Sequence, residues 1–436
     1  MKILFLALGS WRKDNSLGNS YSSIFGKMEN VEIAHVFASS QKPDYQNNIT
    51  RYFQIEEKAM MRSALSFGRG EAVGKEVKLS DFKEIKTKDK KQDVAIYSKG
   101  LSFGKKHHWM LLYWARDLAW RMGRINYDAL IDFINDFQPD VFFLSYGNFF
   151  SSIRLALYIK EHTDIPMVMH MQMDHYSFKR VSFNPLFWID RFLKRSMIRK
   201  LASRADLMYC ITERLKDELQ ESLKVPCKVL YKIPDEGRAI EPYRELHNPV
   251  RFLYTGNIGA NRWKTLAILA ESLRELQFGH LDIYTANPIT KKIDNALNIE
   301  GASTIHKSVS QEEVIRLQNE ADVLVHVEAF DLRNRLLVRC AISTKIMDYL
   351  SVGRTILAIG PADVDSIQFL KVGDAAMIAN SKEDLIRGLK RIKDNSSMLI
   401  DYSKKGVTYL HEHFDANTMR NRIYNDLQQV INNPRS

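Results

Sequence analysis

Residues 343–358, Ser-Thr-Lys-Ile-Met-Asp-Tyr-Leu-Ser-Val-Gly-Arg-Thr-Ile-Leu-Ala, constrain this chain most. A helix-like segment runs up to Gly353, and the apolar run Thr355–Ile359 follows it. Glycine enters the left-handed helix cap without steric cost, so the helix ends at Gly353. The apolar run reads as a buried strand, which Gly360-Pro361 stops. Helix, glycine, buried strand is an α/β crossover. Ser343, Thr344 and Lys345 at the helix start offer hydroxyls, a cation and free backbone N–H groups, the ingredients of an anion site. The same hydroxyls serve equally as plain N-caps.

The rest of the chain repeats that alternation. Strands are expected over 2–7, 31–37, 141–145, 165–170, 205–211 and 229–233, and again over 250–254, 281–284, 321–327 and 355–359. Helices are expected over 20–28, 126–137, 149–162, 187–205, 311–320 and 381–393, with a long helical pattern from 397 to 431. The length of 436 residues suits two domains. Residues 234–249 are polar and carry three prolines, so the expected plan is a first domain 1–235, a linker 236–249, a second domain 250–415 and a final helix 416–436.

Charge is uneven. Residues 1–240 hold 38 Lys and Arg against 28 Asp and Glu, and the remainder 25 against 24. A basic half attracts nucleic acid or an anionic membrane, and no nucleic-acid-binding motif accompanies it. Segment 109–122 is aromatic and apolar at helical spacing with basic flanks, and reads as a core-facing helix or as one lying on a membrane. No run of 18 apolar residues occurs. The short apolar start, followed by Trp11-Arg12-Lys13-Asp14, reads as a first strand rather than a signal peptide. Cys210, Cys227 and Cys340 are widely spaced and indicate neither disulfides nor a zinc site, which fits a reducing cytoplasm.

Polar residues at strand ends mark the candidate sites, because open α/β sheets bind ligands there. Gly9 and Ser10 follow the first strand. His170, Asp174 and His175 share the loop after the strand at 165–170. The loop Thr255-Gly256-Asn257-Ile258-Gly259-Ala260-Asn261-Arg262-Trp263-Lys264 joins a strand to a helix, as phosphate cradles do, yet is neither Walker A nor GxGxxG.

The string at 343–358 resembles the donor-site helix of retaining GT-B glycosyltransferases, glycosyltransferase family 4 and its relatives. The loop at 255–264 is similar to the family's glycine loop, and "ADLMYCITERLKDEL" to a segment late in its first domain. The resemblance implies an α/β fold of two Rossmann-like domains facing across a cleft, with the C-terminal helix crossing back to the first. It implies a retaining, metal-independent glycosyltransferase of bacterial capsule, exopolysaccharide or O-antigen synthesis. The donor is a nucleoside-diphosphate sugar, with no further cofactor. The acceptor is a glycan or lipid-linked glycan, with Gly9 and Ser10 on its side. Apart from the resemblance, the basic first half and segment 109–122 make an anionic membrane surface, at the inner face of the plasma membrane, an expected further partner of the first domain; nucleic acid is not an expected partner. His170 and then Asp174 take the catalytic positions. Gly256, Asn257, Arg262 and Lys264 face the diphosphate, Ile305 and Val309 the base, and Ser343, Thr344, Lys345 and Asp348 the rest of the donor. The family's Glu-x7-Glu is incomplete here: Asp348 matches its second acid, but Cys340 stands at the first, with Glu328 and Asp331 the nearby candidates for the missing acid, at a different spacing. Two other readings share the architecture: a degenerate nucleotide-sugar-binding or scaffold subunit, and a non-hydrolysing nucleotide-sugar epimerase.

Overall fold

The computed structural model describes residues 1–66, 70–82, 110–234 and 245–435. They form two units. The first comprises Met1–Phe178, Ser182–Leu230 and Arg422–Ser436; the second comprises Lys179–Val181 and Tyr231–Asn421.

The first unit is built on β1 (Lys2–Leu6), β2 (Glu32–Phe37), β3 (Ile49–Gln54), β4 (Lys75–Val77), β5 (Val141–Ser145), β6 (Met167–Met171), β7 (Leu207–Cys210) and β8 (Cys227–Val229). Their order is β4-β3-β2-β1-β5-β6-β7-β8, with only β4 antiparallel among the described strands. Every residue of β5, β6 and β7 is buried, as expected for parallel strands covered on both faces. The covering helices are α1 (Ser16–Phe25), α2 (Glu57–Leu65), α3 (Met110–Met122), α4 (Tyr127–Phe137), α5 (Phe150–His162), α6 (Pro185–Ala202) and α7 (Glu213–Leu223). The strand order reverses between β1 and β5, the switch point where such sheets open a crevice.

Three local expectations change. Helix α1 starts at Ser16 rather than residue 20, because Asn15 Oδ1 accepts the Gly18 N–H at 2.8 Å. Gly18 is needed there: a Cβ would lie 2.1 Å from the Arg12 carbonyl oxygen. The strand expected at 229–233 is β8, which ends at Val229, since its neighbour β7 ends opposite it at Cys210. Helix α3 divides its apolar residues: Trp120 is buried together with Arg116 and Asp117, whereas Leu111 and Leu118 are exposed. Arg116 pairs with Glu57, and Asp117 accepts the Ser151 N–H at 3.2 Å at the start of α5. Lys105 to Trp109, the charged run at 83–91 and linker residues 235–244 lie outside the described residues.

The second unit carries β9 (Val250–Thr255), β10 (Gly279–Thr285), β11 (Ser303–Lys307), β12 (Val323–Val327), β13 (Thr355–Ile359) and β14 (Met377–Ala379), ordered β11-β10-β9-β12-β13-β14 and parallel throughout. Its helices are α8 (Arg262–Leu276), α9 (Lys291–Leu297), α10 (Gln311–Glu320), α11 (Leu332–Val338), α12 (Lys345–Val352), α13 (Asp365–Val372), α14 (Lys382–Asp394) and α15 (Ser397–His413). One core packs α8 and α14 against the sheet, and a second packs α12 and α13 against it. Gly353 caps α12 at φ 69°, the left-handed conformation its sequence position calls for. The last helix, α16 (Ala416–Asn432), starts in the second unit, and its residues from Arg422 onward belong to the first. There Asp426 accepts the Tyr209 hydroxyl at 2.8 Å and the Lys228 ammonium at 2.6 Å.

Candidate functional site

In the second unit the switch point falls between β9 and β12. Gly256 follows β9 with φ 137°, a conformation that L side chains rarely adopt, and a Cβ there would meet Lys345 Nζ at 1.9 Å. The loop then takes Ala260 and Asn261 through left-handed angles (φ 52° and 60°) before α8 begins at Arg262. This contorted backbone turns the Arg262 guanidinium onto the strand end of β12. Its Nε and Nη2 donate to both oxygens of Glu328, at 3.0 and 3.1 Å. Such a bidentate, charge-assisted pair is the strong form of the interaction.

Glu328 is 2% exposed, and burial pushes its carboxyl above the ordinary range even beside Arg262. Thr265 donates to its carbonyl at 2.9 Å. His326, two residues back on β12, has Nε2 3.1 Å from the Ser366 hydroxyl and 3.8 Å from Glu328. Burial, helped by Arg262 and Lys345, pushes its pKa down to about 3, so it is neutral. Lys345 opens α12 with its Nζ 4.9 Å from the Tyr254 ring centre. Its pKa is pushed down to about 8, first by burial and next by Arg262, against the pull of Glu328 and Asp348. Thr344 makes no side-chain capping bond, leaving the α12 N-terminus uncapped by a side chain. Asp348, one turn further on, forms an ion pair with Lys232.

Gly256, Arg262, Glu328 and Lys345 therefore form one cluster at the sheet's opening, flanked by Ser343 and Thr344, which are half-buried. Lys264 and Asn257 are exposed. Asn257 holds the loop, its Oδ1 accepting the Gly259 N–H at 2.6 Å. Ile305 and Val309 belong to the edge strand β11 and the segment after it, and the Ile305 N–H donates to Asn298 Oδ1 at 2.8 Å. Cys340 is buried just past α11. His326 and Lys232 had no signal in the sequence, since each sits inside or beside an apolar run.

The first unit has a different site. His170 on β6 is 4% exposed, and burial pushes its pKa down to about 3. Its Nδ1 is 2.8 Å from the Tyr21 hydroxyl, which also accepts the Gln172 amide at 2.9 Å. Its Nε2 is buried and has no hydrogen-bond partner among the described residues. Asp174 is 4% exposed and is held by Arg191 at 3.2 Å and by the Tyr176 and Ser177 N–H groups at 3.1 and 2.8 Å. His175 packs on the Tyr146 ring, 5.6 Å between centres. Ser10 is buried 3.4 Å from the Ser39 hydroxyl, whereas Gly9 is exposed with ordinary room for a Cβ. Among the described residues, no group of three or more His, Cys, Asp or Glu is arranged to hold a metal ion.

No family model and no curated protein matches the chain. Solved structures do. A sucrose-phosphate synthase from Thermosynechococcus elongatus is 9% identical, with a TM-score of 0.63 over 99% of both chains. An α,α-trehalose-phosphate synthase (UDP-forming) from Burkholderia xenovorans, in complex with glucose-6-phosphate, is 11% identical at 0.58, over 98% of this chain and all of its own. WaaG, a glycosyltransferase involved in lipopolysaccharide biosynthesis, is 10% identical at 0.58 over 98% of this chain and 99% of its own. At these identities the likeness is one of fold, and the chain has the two-domain, Rossmann-like fold of GT-B glycosyltransferases.

Proposed function

We propose that the protein is a retaining, metal-independent glycosyltransferase that moves a sugar from a nucleoside-diphosphate sugar to a glycan or lipid-linked glycan. The observation that carries this reading is the cluster of Arg262, Lys345 and Gly256 at the switch point of the second unit. Two cations, each at a helix start and one of them, Lys345, seated against Gly256 where no Cβ would fit, suit a departing diphosphate. Arg262 exchanges part of its bond to Glu328 for the diphosphate, and Lys345 supplies the second charge where a metal ion would otherwise stand. Asp348 meets the ribose hydroxyls, and Ile305 and Val309 border the base. Glu328 takes the part of the acid missing at Cys340 and steers both Arg262 and the sugar.

Retention is supported by His170. A histidine whose pKa lies near 3 is a poor general base toward a sugar hydroxyl. The attacking hydroxyl then gives its proton to the departing phosphate oxygen on the same face of the sugar. His170 Nε2, buried and without a hydrogen-bond partner among the described residues, takes the role of hydrogen-bonding the sugar in this reading. Asp174 orders the loop beyond β6, and Gly9 and Ser10 lie on the acceptor's side. Capsule, exopolysaccharide or O-antigen assembly at the inner face of the plasma membrane is the process this reading serves.

The test is thermal melting of the purified protein with UDP, GDP, ADP, CMP and dTDP, with and without EDTA. A ligand bound only by the native state raises the melting temperature by mass action. Stabilisation by one diphosphate, indifferent to EDTA, is the expected result, and it names the base. No stabilisation by any of them assigns the chain to the non-catalytic subunits. With the base known, NMR of the product's anomeric centre decides retention.

A further inference from the structure

His170 is neutral, and a neutral imidazole carries one N–H and one lone pair. Which nitrogen holds the proton is set by the bond the other nitrogen makes. At Nδ1 that bond is to the Tyr21 hydroxyl, 2.8 Å away. Tyr21 is fully buried, and its ring packs edge-on to Phe5 and Phe143, with centres 4.8 and 5.8 Å apart. The hydroxyl is therefore fixed in place. Burial pushes its pKa up, so it keeps its proton. The Tyr21 oxygen is itself supplied with donors. The Gln172 amide N–H, which can only donate, does so at 2.9 Å. The Ser145 hydroxyl bonds the same oxygen and pulls its pKa back down, as a donor does. Strand pairing explains the convergence. Ser145 on β5 lies opposite His170, and Gln172, two residues past His170, continues the same face. With both lone pairs of the Tyr21 oxygen engaged, its proton has one acceptor left, the lone pair of His170 Nδ1.

We propose that Tyr21 is a positioning residue that holds His170 in the tautomer protonated on Nε2, so that the imidazole presents a fixed N–H donor to a sugar oxygen. Nε2 is the nitrogen that is buried without a hydrogen-bond partner among the described residues. In this tautomer it has no lone pair to offer. It cannot take a proton from the attacking hydroxyl at any pH, and it can meet only an oxygen that accepts. The opposite tautomer would present a lone pair there, the arrangement a general base needs. Tyr21 thus turns a residue type that commonly serves as a base into a neutral donor, and the sugar hydroxyl it meets must direct its own proton elsewhere. That a sugar is the partner rests on the proposed function; the tautomer rests on Tyr21, Ser145 and Gln172 alone.

The experiment is long-range proton–nitrogen NMR correlation on the full chain, isotope-labelled only at its histidines, with no substrate added. The His170 signal is the one missing from His170→Gln. Wild type is expected to show a protonated Nε2 and a bare Nδ1. Tyr21→Phe, which keeps the packed ring, is expected to shift His170 to the other tautomer or to a mixture of the two. A protonated Nδ1 in wild type, or an unchanged His170 in Tyr21→Phe, overturns the proposal. Transfer supplies the second readout. Tyr21→Phe should lower kcat about tenfold, the scale of one misdirected hydrogen bond, with nucleoside-diphosphate affinity unchanged. In the His170→Gln background the same change should cost nothing further. An equal loss there means that Tyr21 does not act through His170, and overturns its positioning role. The tautomer is read without donor or acceptor, so a chain that shows it and transfers no sugar refutes the proposed activity and leaves the tautomer standing.

Discussion

The two units solve the same topological problem with opposite chemistry. Each opens a parallel sheet at a switch point and lines the opening from the ends of neighbouring strands. In the second unit the lining is charged: Arg262 on Glu328, Lys345 beside them, Lys232 on Asp348. In the first the groups at the strand ends are neutral and aromatic, His170, Tyr21 and Gln172 bonded in series with Phe143 edge-on to both rings, and the one charged pair described there, Asp174 on Arg191, lies in the loop beyond. Charge held in a buried setting suits a ligand that arrives and leaves as an anion. A neutral hydrogen-bonding pocket suits a sugar, which brings hydroxyls and no charge. Under the proposed function, electrostatics sorts the two substrates between the openings, and both openings must be probed to learn which half does what.

The largest effect expected is at Arg262. Arg262→Ala should lower transfer about 100- to 1,000-fold, the scale of losing one preorganised donor to a developing anion. The same change leaves the Glu328 carboxylate buried without its partner, which costs roughly 3–5 kcal/mol of stability. Arg262→Ala combined with Glu328→Gln should therefore recover much of the melting temperature and none of the activity. Near wild-type turnover in either variant would reduce Arg262 to a structural partner of Glu328 and break the charged half of the comparison.

His170→Gln probes the neutral half. It keeps a hydrogen-bonding partner for the Tyr21 hydroxyl and removes the unpartnered ring nitrogen. Transfer should fall about 10- to 100-fold, the scale of a misplaced positioning group, while affinity for the nucleoside diphosphate stays as it was. Equal loss of both would show that the first unit also governs donor binding.

Lys345 carries a pH dependence whose sign follows from its depressed pKa. Its charge is present below about pH 8 and lost above it. A bound diphosphate favours the charged form, so binding takes up a proton above pH 8, and the dissociation constant should rise toward about tenfold per pH unit there. The stability linkage runs the other way. The unfolded chain holds this proton up to the ordinary lysine value near 10.5, so the unliganded protein loses a destabilising charge, and gains stability, as pH rises from about 8 toward 10.5. Isothermal titration of wild type and Lys345→Arg between pH 7 and about 9.5 checks the first effect, which the arginine should abolish.

How legible this was in the sequence depended on the range of the interaction. Gly353 and Gly256 were readable because a helix end and a strand-to-helix loop are local, and glycine answers a local backbone demand. Arg262 and Lys345 stood out because each begins a helix beside such a turn. Their partners were not readable. Glu328 lies 66 residues from Arg262, Lys232 lies 116 from Asp348, and Tyr21 lies 149 from His170. No pattern in one chain announces those meetings. Helix α3 was half legible for the same reason. Its apolar spacing allowed a core face or a membrane face; Trp120 goes to the core, while Glu57 and the start of α5 draw Arg116 and Asp117 inward and leave Leu111 and Leu118 outward.

The smallest effect separates two roles for Asp348. Its ion pair with Lys232 already satisfies it in part, so it can be a purely internal partner or a ribose ligand that Lys232 holds in place. Asp348→Asn distinguishes them if the ligand is varied as well. Because the carboxylate is already shared with Lys232, the hydrogen bond it accepts from the ribose contributes about 1 kcal/mol, and a 2′,3′-dideoxy nucleoside diphosphate should bind wild type roughly fivefold more weakly than its parent. In Asp348→Asn that difference should shrink toward nothing, because the asparagine oxygen is a weaker acceptor and Lys232 loses the charge it was pairing. If the deoxy penalty persists unchanged in the variant, the ribose is read elsewhere, and Asp348 serves only to anchor Lys232 against the first turn of α12.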